Sequence, residues 1–419
     1  MIIELIKDYR KVEKPIFYLV TAEFFIQLIN ASFMAIQPLY MKAQGFSDGL
    51  TAGYISLRFL GVLLLALPLG LLIKKRKLKP LFYISAVTVP TFALLIIYAI
   101  KFHIPWLINL SQFLWGASFT FIQIPSLPFI LRNARKDTHT EGIALGYSTW
   151  SFAGIIGGCM IGIFNWLDPQ LFNEETMLLI ISLLGYISIY FVYKIDIKEN
   201  IPVSEIAANG KKNIFEYDWN LIVRALAPTL IIAVGAGLTI PFISLFFANV
   251  HHMSTSTFAV INSIASILVA MGAMLVPRIK KAVGYKIAVP TSQSFAVIAL
   301  VLLATTQYYS DLNIAVYIAV TCFMFRQPLM NMAGPMTSEI VMNYTGAKNR
   351  EMVSALTSAI WSGSWFISAM IFKYLRNSGY AYVNVFLITA LLYAVGVVWY
   401  YVLILDYHKR EKAGLIKDN

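Results

Sequence analysis

The 419-residue chain is 58% hydrophobic and only 13% charged, with a net charge of +12. Soluble domains are about 45–50% apolar and about 25% charged, so this composition excludes an ordinary soluble fold and predicts an all-α protein that crosses a membrane many times. Its two cysteines, Cys159 and Cys322, give neither a disulfide framework nor a metal-binding spacing, and we expect no cofactor and no metal.

Hydropathy predicts twelve transmembrane helices. The first six are expected at residues 15–40, 48–73, 80–100, 106–131, 141–166 and 176–193. The second six are expected at 219–247, 255–276, 287–306, 313–338, 352–374 and 380–405. We therefore predict an N-terminal six-helix bundle over 1–193, a cytoplasmic linker over 194–218 and a C-terminal six-helix bundle over 219–419.

Lysine and arginine fix the expected orientation. Twenty-six of these residues fall in segments on one predicted side and four on the other. Because cytoplasmic loops carry the excess of positive charge, we expect both termini in the cytoplasm and the protein in the cytoplasmic membrane. This placement accounts for the positive charge without nucleic acid. The first fourteen residues lack the pattern of a signal peptide and predict a cytoplasmic lead-in helix.

The first span carries an unusual polar stripe, because Glu23, Gln27, Asn30 and Gln37 fall within a narrow arc of one helix face. A charged residue at mid-membrane costs about 2.5–3.5 kcal/mol on insertion scales, so the stripe should face protein or a wet cavity. Glu23 is the candidate proton-coupling residue, since a carboxyl in a low-dielectric site exchanges its proton near neutral pH. A fixed ion pair with Arg58, or a mere polar contact, are the alternatives.

Arg58 and Arg326 fall near the middle of spans two and ten, and each needs a partner there. The only other acid within a span, Glu339, lies near the end of span ten. Two bases and one central acid leave a positive charge that favours an anionic or carbonyl-bearing solute. The alternative is that one arginine binds backbone carbonyls at a broken helix, since Pro328 and Pro335 follow Arg326 and indicate local unwinding.

Further polar and aromatic residues are candidates for binding the solute at the same central position. In addition to Arg58 and Arg326, these candidates are Gln27, Asn30, Gln112, Trp150, Asn262, Gln327, Asn331 and Trp361. Each has an ordinary structural alternative, which is helix–helix hydrogen bonding for the polar residues and packing for the tryptophans. No histidine falls within a span and no paired carboxylates occur, so we do not expect an enzyme.

The two halves share features at nearly constant offsets. Gly70–Lys79 leaves span two much as Gly272–Lys281 leaves span eight, 202 positions later. Pro125 recurs as Pro335, 210 positions later. Duplicated halves are the usual construction of secondary transporters, which bind solute near mid-membrane.

This arrangement resembles the major facilitator superfamily, whose fold is two pseudo-symmetric six-helix bundles. The family often shows G-x-L-x-D-R-x-G-R-R after span two, where this chain matches at Gly70 and Leu72 but has Lys74 in place of the acid. In span five, exporters tend to show G-P-x-x-G-G, and this chain has Gly154, Gly157 and Gly158 without the proline. The span-four arginine of many proton-driven members is replaced by Gln112. The resemblance implies a conformational gating role for the following residues: Gly70, Lys74, Gly154, Gly158, Gly272, Arg278 and Gly284.

The resemblance and the polar residues together predict a monomeric, proton-coupled secondary transporter of a small organic or amphipathic solute, working by alternating access, with export slightly favoured. Spans one, two, four and five, with seven, eight, ten and eleven, are expected to line the pathway. The alternatives are an uptake symporter, a lipid-type transporter of the same fold, or a non-transporting membrane sensor.

Overall fold

The computed structural model describes residues 12–73, 76–135, 138–197, 217–346 and 349–413. Residues 1–11 of the predicted lead-in helix and residues 198–216 of the predicted linker lie outside this part. Within it the chain is helical and contains no strand. Twelve stretches are long and apolar enough to cross a membrane, which confirms the twelve predicted spans.

The first half contains seven helical elements, because the sixth span is interrupted at Tyr186. They are α1 Lys14–Ala43, α2 Asp48–Leu72, α3 Lys79–Lys101, α4 Pro105–Asn133, α5 His139–Leu167, α6 Glu174–Gly185 and α7 Ile187–Lys194.

The second half contains six α-helical elements, and its helices depart from regular geometry in the seventh span and between the eighth and ninth spans. They are α8 Trp219–Thr239, α9 Ile243–Val250, α10 Thr255–Thr305, α11 Asn313–Thr345, α12 Arg350–Asn377 and α13 Tyr382–Lys412.

The described residues form two compact units. The first contains residues from 1–46 and 57–211, and the second contains residues from 47–56 and 212–419. The first part of α2 therefore belongs to the second unit. The bundle boundary and the linker expected from the sequence stay predictions, because most of the linker lies outside the described residues.

The first unit is built around α1, which packs against α5, α6 and α7, while α3 packs against α4. Its apolar side chains are buried along almost the whole length of the helix; examples are Ile16, Leu19, Ile26, Phe33 and Ile36. Because α1 is covered on several sides, the polar stripe on it is also held inside the protein.

The second unit is built around α8, which packs against α12 and α13, while α10 packs against α11. Two buried hydroxyl pairs join α8 to α13: Thr229 with Tyr400 at 2.7 Å and Thr239 with Thr389 at 2.9 Å. Such pairs hold membrane helices together because their polar atoms find partners away from lipid.

Two of the irregularities have a backbone cause. The seventh span changes to a 3-10 turn over Ile240–Phe242, because Pro241 has no N–H to donate to the α-helical ladder. The stretch labelled α10 consists of two helices that meet at Gly284, whose backbone is not helical and whose φ of +69° is a conformation that glycine adopts without strain. The expected connection at 277–286 is thus helical on both sides of one glycine.

The alternative that the helix is broken after Arg326 is wrong. Helix α11 continues through Pro328 and Pro335 to Thr345. Side chains in this stretch donate to backbone carbonyls, with Asn331 bonding the carbonyl of Gln327 at 2.8 Å and Thr337 that of Gly334 at 2.9 Å. Polar side chains of this kind accommodate proline within membrane helices.

Candidate functional site

The polar stripe of α1 is buried within the first unit. Glu23, Gln27, Asn30 and Gln37 are each 7% exposed or less. The Asn30 amide donates to Gln27 Oε1 at 3.2 Å, so these two amides partly satisfy each other. The arrangement agrees with the expectation that this face of the helix is turned away from lipid.

Glu23 is an acid without a basic partner among the residues that the structure describes. The side chains beside its carboxyl are Ser126 of α4 and Gln27 of α1, and its Oε2 atom has no hydrogen-bond partner among the described residues. It forms no ion pair with any of them, so the alternative of a fixed pair with Arg58 is not what the structure contains. A buried carboxyl with unmet hydrogen-bonding capacity is suited to carrying a proton.

Arg58 of α2 is buried between α1 and α4. Its Nη2 group donates to Oε1 of Gln37, and its guanidinium lies 4.3 Å from the ring centre of Trp115 and 6.0 Å from that of Phe33. Its Nε and Nη1 groups have no partner within the described part of the chain. Gln112, one turn before Trp115, is completely buried, and neither its amide nitrogen nor its amide oxygen is paired there.

A close approach of two helices produces this arrangement. A Cβ atom on Gly116 would lie 2.8 Å from the carbonyl carbon and 3.1 Å from the Cα atom of Arg58. Only glycine permits the backbones of α2 and α4 to come so near. The sequence indicated Arg58 and Gln112 but missed Trp115, which shares a helix face with Gln112 three residues earlier.

Arg326 of α11 is the second buried guanidinium, 1% exposed within the second unit. Its Nη2 group donates to the Tyr393 hydroxyl at 3.3 Å, and its Nε group has no partner among the described residues. Glu339 does not balance this charge, because its carboxylate pairs with Lys280 at 2.7 Å on a partly exposed surface.

The remaining predicted binding residues do not share one environment. Asn262 and Gln327 are half-buried, whereas Asn331, Trp150 and Trp361 are exposed. The backbone carbonyl of Asn262 accepts from Ser266 at 2.9 Å. Their assignment to a solute pathway stays a prediction.

The predicted gating residues also occupy varied environments. A Cβ atom on Gly70 would contact nothing within 4 Å, whereas one on Gly272 would lie 3.1 Å from Met332. Gly158 is buried and Gly154 is half-buried, while Arg278 is exposed. Gly284 forms the bend in α10. Lys74 lies outside the described residues.

A cluster around Asp48, in the second unit, had no signal in the sequence. The Asp48 carboxylate accepts from Arg376 at 2.8 and 3.1 Å and from the Tyr382 hydroxyl at 2.6 Å. Asn249 donates to the Tyr382 hydroxyl at 2.7 Å, and the Arg376 guanidinium lies 4.0 Å from the Tyr382 ring centre. We call these four residues the Asp48 cluster; it joins the start of α2 to α9, α12 and α13.

The described residues offer no obvious inorganic centre, since no group of three or more His, Cys, Asp or Glu side chains among them is placed to hold a metal ion.

Solved transporter structures have the same fold. A mutant of the nucleoside transporter NupG superposes with a TM-score of 0.72 at 13% identity, over 93% of this chain and 99% of that one. A D-xylose–proton symporter gives 0.72 at 13% identity, over 92% and 97%. A bacterial homologue of the iron transporter ferroportin, in an inward-facing state, gives 0.68 at 11% identity, over 93% and 98%. The architecture is thus that of twelve-helix membrane transporters.

The sequence resembles a known family over its N-terminal part. The family model described as Major Facilitator Superfamily matches residues 3–158. A search of curated protein sequences gives no significant match. The family-model match covers fewer than half of the residues, so it shows a resemblance to that superfamily in the N-terminal part of the chain, and the twelve candidate spans indicate a multi-pass membrane protein.

Proposed function

We propose that this protein is a proton-coupled secondary transporter that moves a small organic or amphipathic solute across the cytoplasmic membrane by alternating access. The observation that carries the proposal is Glu23, a buried acid inside the first span that has no basic partner in the described chain and one unpaired carboxyl oxygen. Membrane-buried acids with this character commonly belong to proton relays.

The environment of Glu23 supports exchange of a proton rather than permanent charge. The helices packed on α1 include α4 and α5, and the described polar neighbours of the carboxyl are the neutral side chains Ser126 and Gln27. No described Lys, Arg, His, Asp or Glu is hydrogen-bonded to it. A neutral surrounding lets the carboxyl hold a proton on one side of the membrane and release it when water reaches it from the other.

The proposed orientation and direction depend on sequence features. Both termini are placed in the cytoplasm because 26 of the 33 lysines and arginines fall on one predicted side. Export is proposed because the glycines of span five resemble the exporter pattern. Gly157 packs tightly against α1, where an added Cβ atom would lie 2.8 Å from the Ser32 hydroxyl.

The test uses the full chain in proteoliposomes with an imposed pH gradient and three radiolabelled probes of different chemistry: uridine, D-xylose and benzoate. We expect the wild type to move at least one probe in response to the gradient. Glu23→Gln should lose the gradient dependence while still exchanging the same probe across the membrane without a gradient.

Glu175→Gln is the matched control, because Glu175 is an ion-paired acid in the same unit, with its carboxylate 2.7 Å from Lys101. Gradient-driven movement should survive in this variant. If Glu23→Gln responds to the gradient as the wild type does, Glu23 is not the coupling residue and the proposal fails.

A further inference from the structure

Arg58 is a buried charge that has no counter-charge among the described residues. It is 2% exposed, and its one hydrogen-bond partner in the described chain is the neutral amide of Gln37. A guanidinium stays protonated in proteins, so Arg58 cannot escape by becoming neutral. An unpaired buried charge is unfavourable even after the protein relaxes, because the charge loses its hydration and nothing replaces it.

The contacts that Arg58 does make offset this cost only in part. Stacking of a guanidinium on an aromatic face is a weaker interaction than the hydration that burial removes, and Trp115 at 4.3 Å is the closer of its two rings. Water would provide hydrogen-bond acceptors for Nε and Nη1 but no negative charge. An anion would supply both the hydrogen-bond acceptors and the negative charge that the described residues do not provide.

Unsatisfied groups of two neighbouring side chains accompany the guanidinium. Gln112 has an unpaired amide donor and an unpaired amide acceptor, and the indole N–H of Trp115 is also unpaired within the described residues. Buried polar groups are nearly always hydrogen-bonded, so several exceptions beside one arginine indicate a ligand site. The contact at Gly116 brings α4, which carries Gln112 and Trp115, against the backbone of Arg58.

We propose that Arg58, Gln112 and Trp115 form a binding site for the carboxylate of an organic monoanion. Arg58 takes the carboxylate, Gln112 bonds a polar group beside it, and Trp115 holds the guanidinium in place by stacking on it. A single guanidinium neutralises one charge, which favours a monocarboxylate over a phosphate dianion. This inference rests on the proposed function, whose solute class it defines, but it does not require proton coupling.

The experiment measures equilibrium binding to the purified full-length protein in lipid nanodiscs, with no gradient. Thermal unfolding is recorded with benzoate, with its neutral analogue benzamide and with inorganic phosphate. A ligand that binds the folded state raises the unfolding temperature as its concentration increases. We expect benzoate to do so and the other two to have little effect.

The variants locate the site. Arg58→Gln should weaken benzoate binding by about tenfold or more, since it removes the charged partner of a buried carboxylate. Gln112→Leu should weaken it by a smaller factor. Trp115→Phe, which keeps an aromatic face, should retain most of it. Lys101→Gln is the control, because it neutralises a cation on the exposed surface of the same unit.

Three results would overturn the inference: wild-type protein that benzoate does not stabilise, benzamide acting as well as benzoate, or unchanged benzoate binding in both Arg58→Gln and Gln112→Leu. The Gln112→Leu variant still tests the inference if Arg58→Gln fails to fold. Gradient-driven flux that depends on Glu23, without benzoate binding, would refute this inference alone. Benzoate binding that depends on Arg58, without gradient-driven flux of any probe, would refute the proposed function alone.

Discussion

Arg58 and Arg376 show two ways in which the same side chain is held within this fold. Arg376 meets a carboxylate at 2.8 and 3.1 Å and lies over the ring of Tyr382, within the partly exposed Asp48 cluster. Arg58 is more deeply buried, yet it has one amide partner and two unpaired N–H groups within the described chain. Arg58, whose burial costs more free energy, thus has fewer hydrogen-bond partners in the described chain than Arg376.

This contrast separates stabilising charges from binding charges. A charge whose partners are all supplied by the protein contributes to the free energy of unfolding. A buried charge that the protein leaves without partners lowers the free energy of unfolding. Such a charge is useful only when a bound ligand supplies those partners. Four substitutions test this distinction and the helix contacts around it, in order of decreasing expected effect.

Asp48→Asn should lower the free energy of unfolding by about 2–3 kcal/mol, because it leaves Arg376 without its carboxylate partner in a partly buried place. Unfolding by SDS in mixed micelles measures this. Asp311→Asn, at an exposed position in the same unit, is the control. Equal stability of the two variants would show that the Asp48 cluster has no stabilising role.

Gly116→Ala should lower the free energy of unfolding by about 2 kcal/mol, because the new methyl group meets backbone atoms of Arg58 that cannot rotate away. The same assay applies. Gly334→Ala provides the comparison, since its Cβ atom would contact nothing within 4 Å and alanine favours the helix. A Gly116 variant as stable as the Gly334 variant would mean that α2 and α4 are not in close contact.

Arg58→Met should change the free energy of unfolding by only about 1 kcal/mol in the absence of solute, since the loss of ring stacking is offset by removal of an unpaired buried charge. Arg376→Met, with the same change of side chain, should destabilise by more. A larger loss of unfolding free energy in Arg58→Met than in Arg376→Met would show that Arg58 is a stabilising charge and not a binding charge.

Glu13→Gln should have the smallest effect, and one that depends on pH. Burial by itself would raise the pKa of Glu13, but hydrogen bonds from its own backbone amide, from Arg135 and from Thr138 outweigh it and hold the pKa below the usual range. A lowered pKa in the folded state stabilises the protein above the carboxyl's ordinary pKa, and that contribution disappears as the pH falls through the lowered value.

The wild type should therefore be more stable than Glu13→Gln by less than about 1 kcal/mol near neutral pH, because the Arg135 side chain of this ion pair is largely exposed. The difference should shrink in acid. Thermal unfolding of both proteins from neutral to acidic pH measures it, and a difference that grows in acid would contradict the assignment.

Part of the candidate site was predictable. Glu23 stood out because it is an acid deep inside an apolar stretch, and Arg58, Arg326 and Gln112 stood out for similar reasons. Trp115 was missed because its neighbours in the sequence do not distinguish it from the other tryptophans. The Asp48 cluster was also missed, because Asp48 and Arg376 are 328 residues apart and each resembles an ordinary residue at the end of a span.

The sequence alone determined the twelve spans and the existence of charges that lipid would not accept. Hydropathy over some twenty consecutive residues is a local property, and the cost of exposing a charge to lipid does not depend on which neighbours hide it. Tertiary structure decided which groups meet: Gln37 with Arg58, Trp115 above the guanidinium, and Asp48 with Arg376. Those pairings depend on where helices approach, as α2 and α4 do at Gly116, and a short-range contact of that kind leaves no periodic trace in the chain.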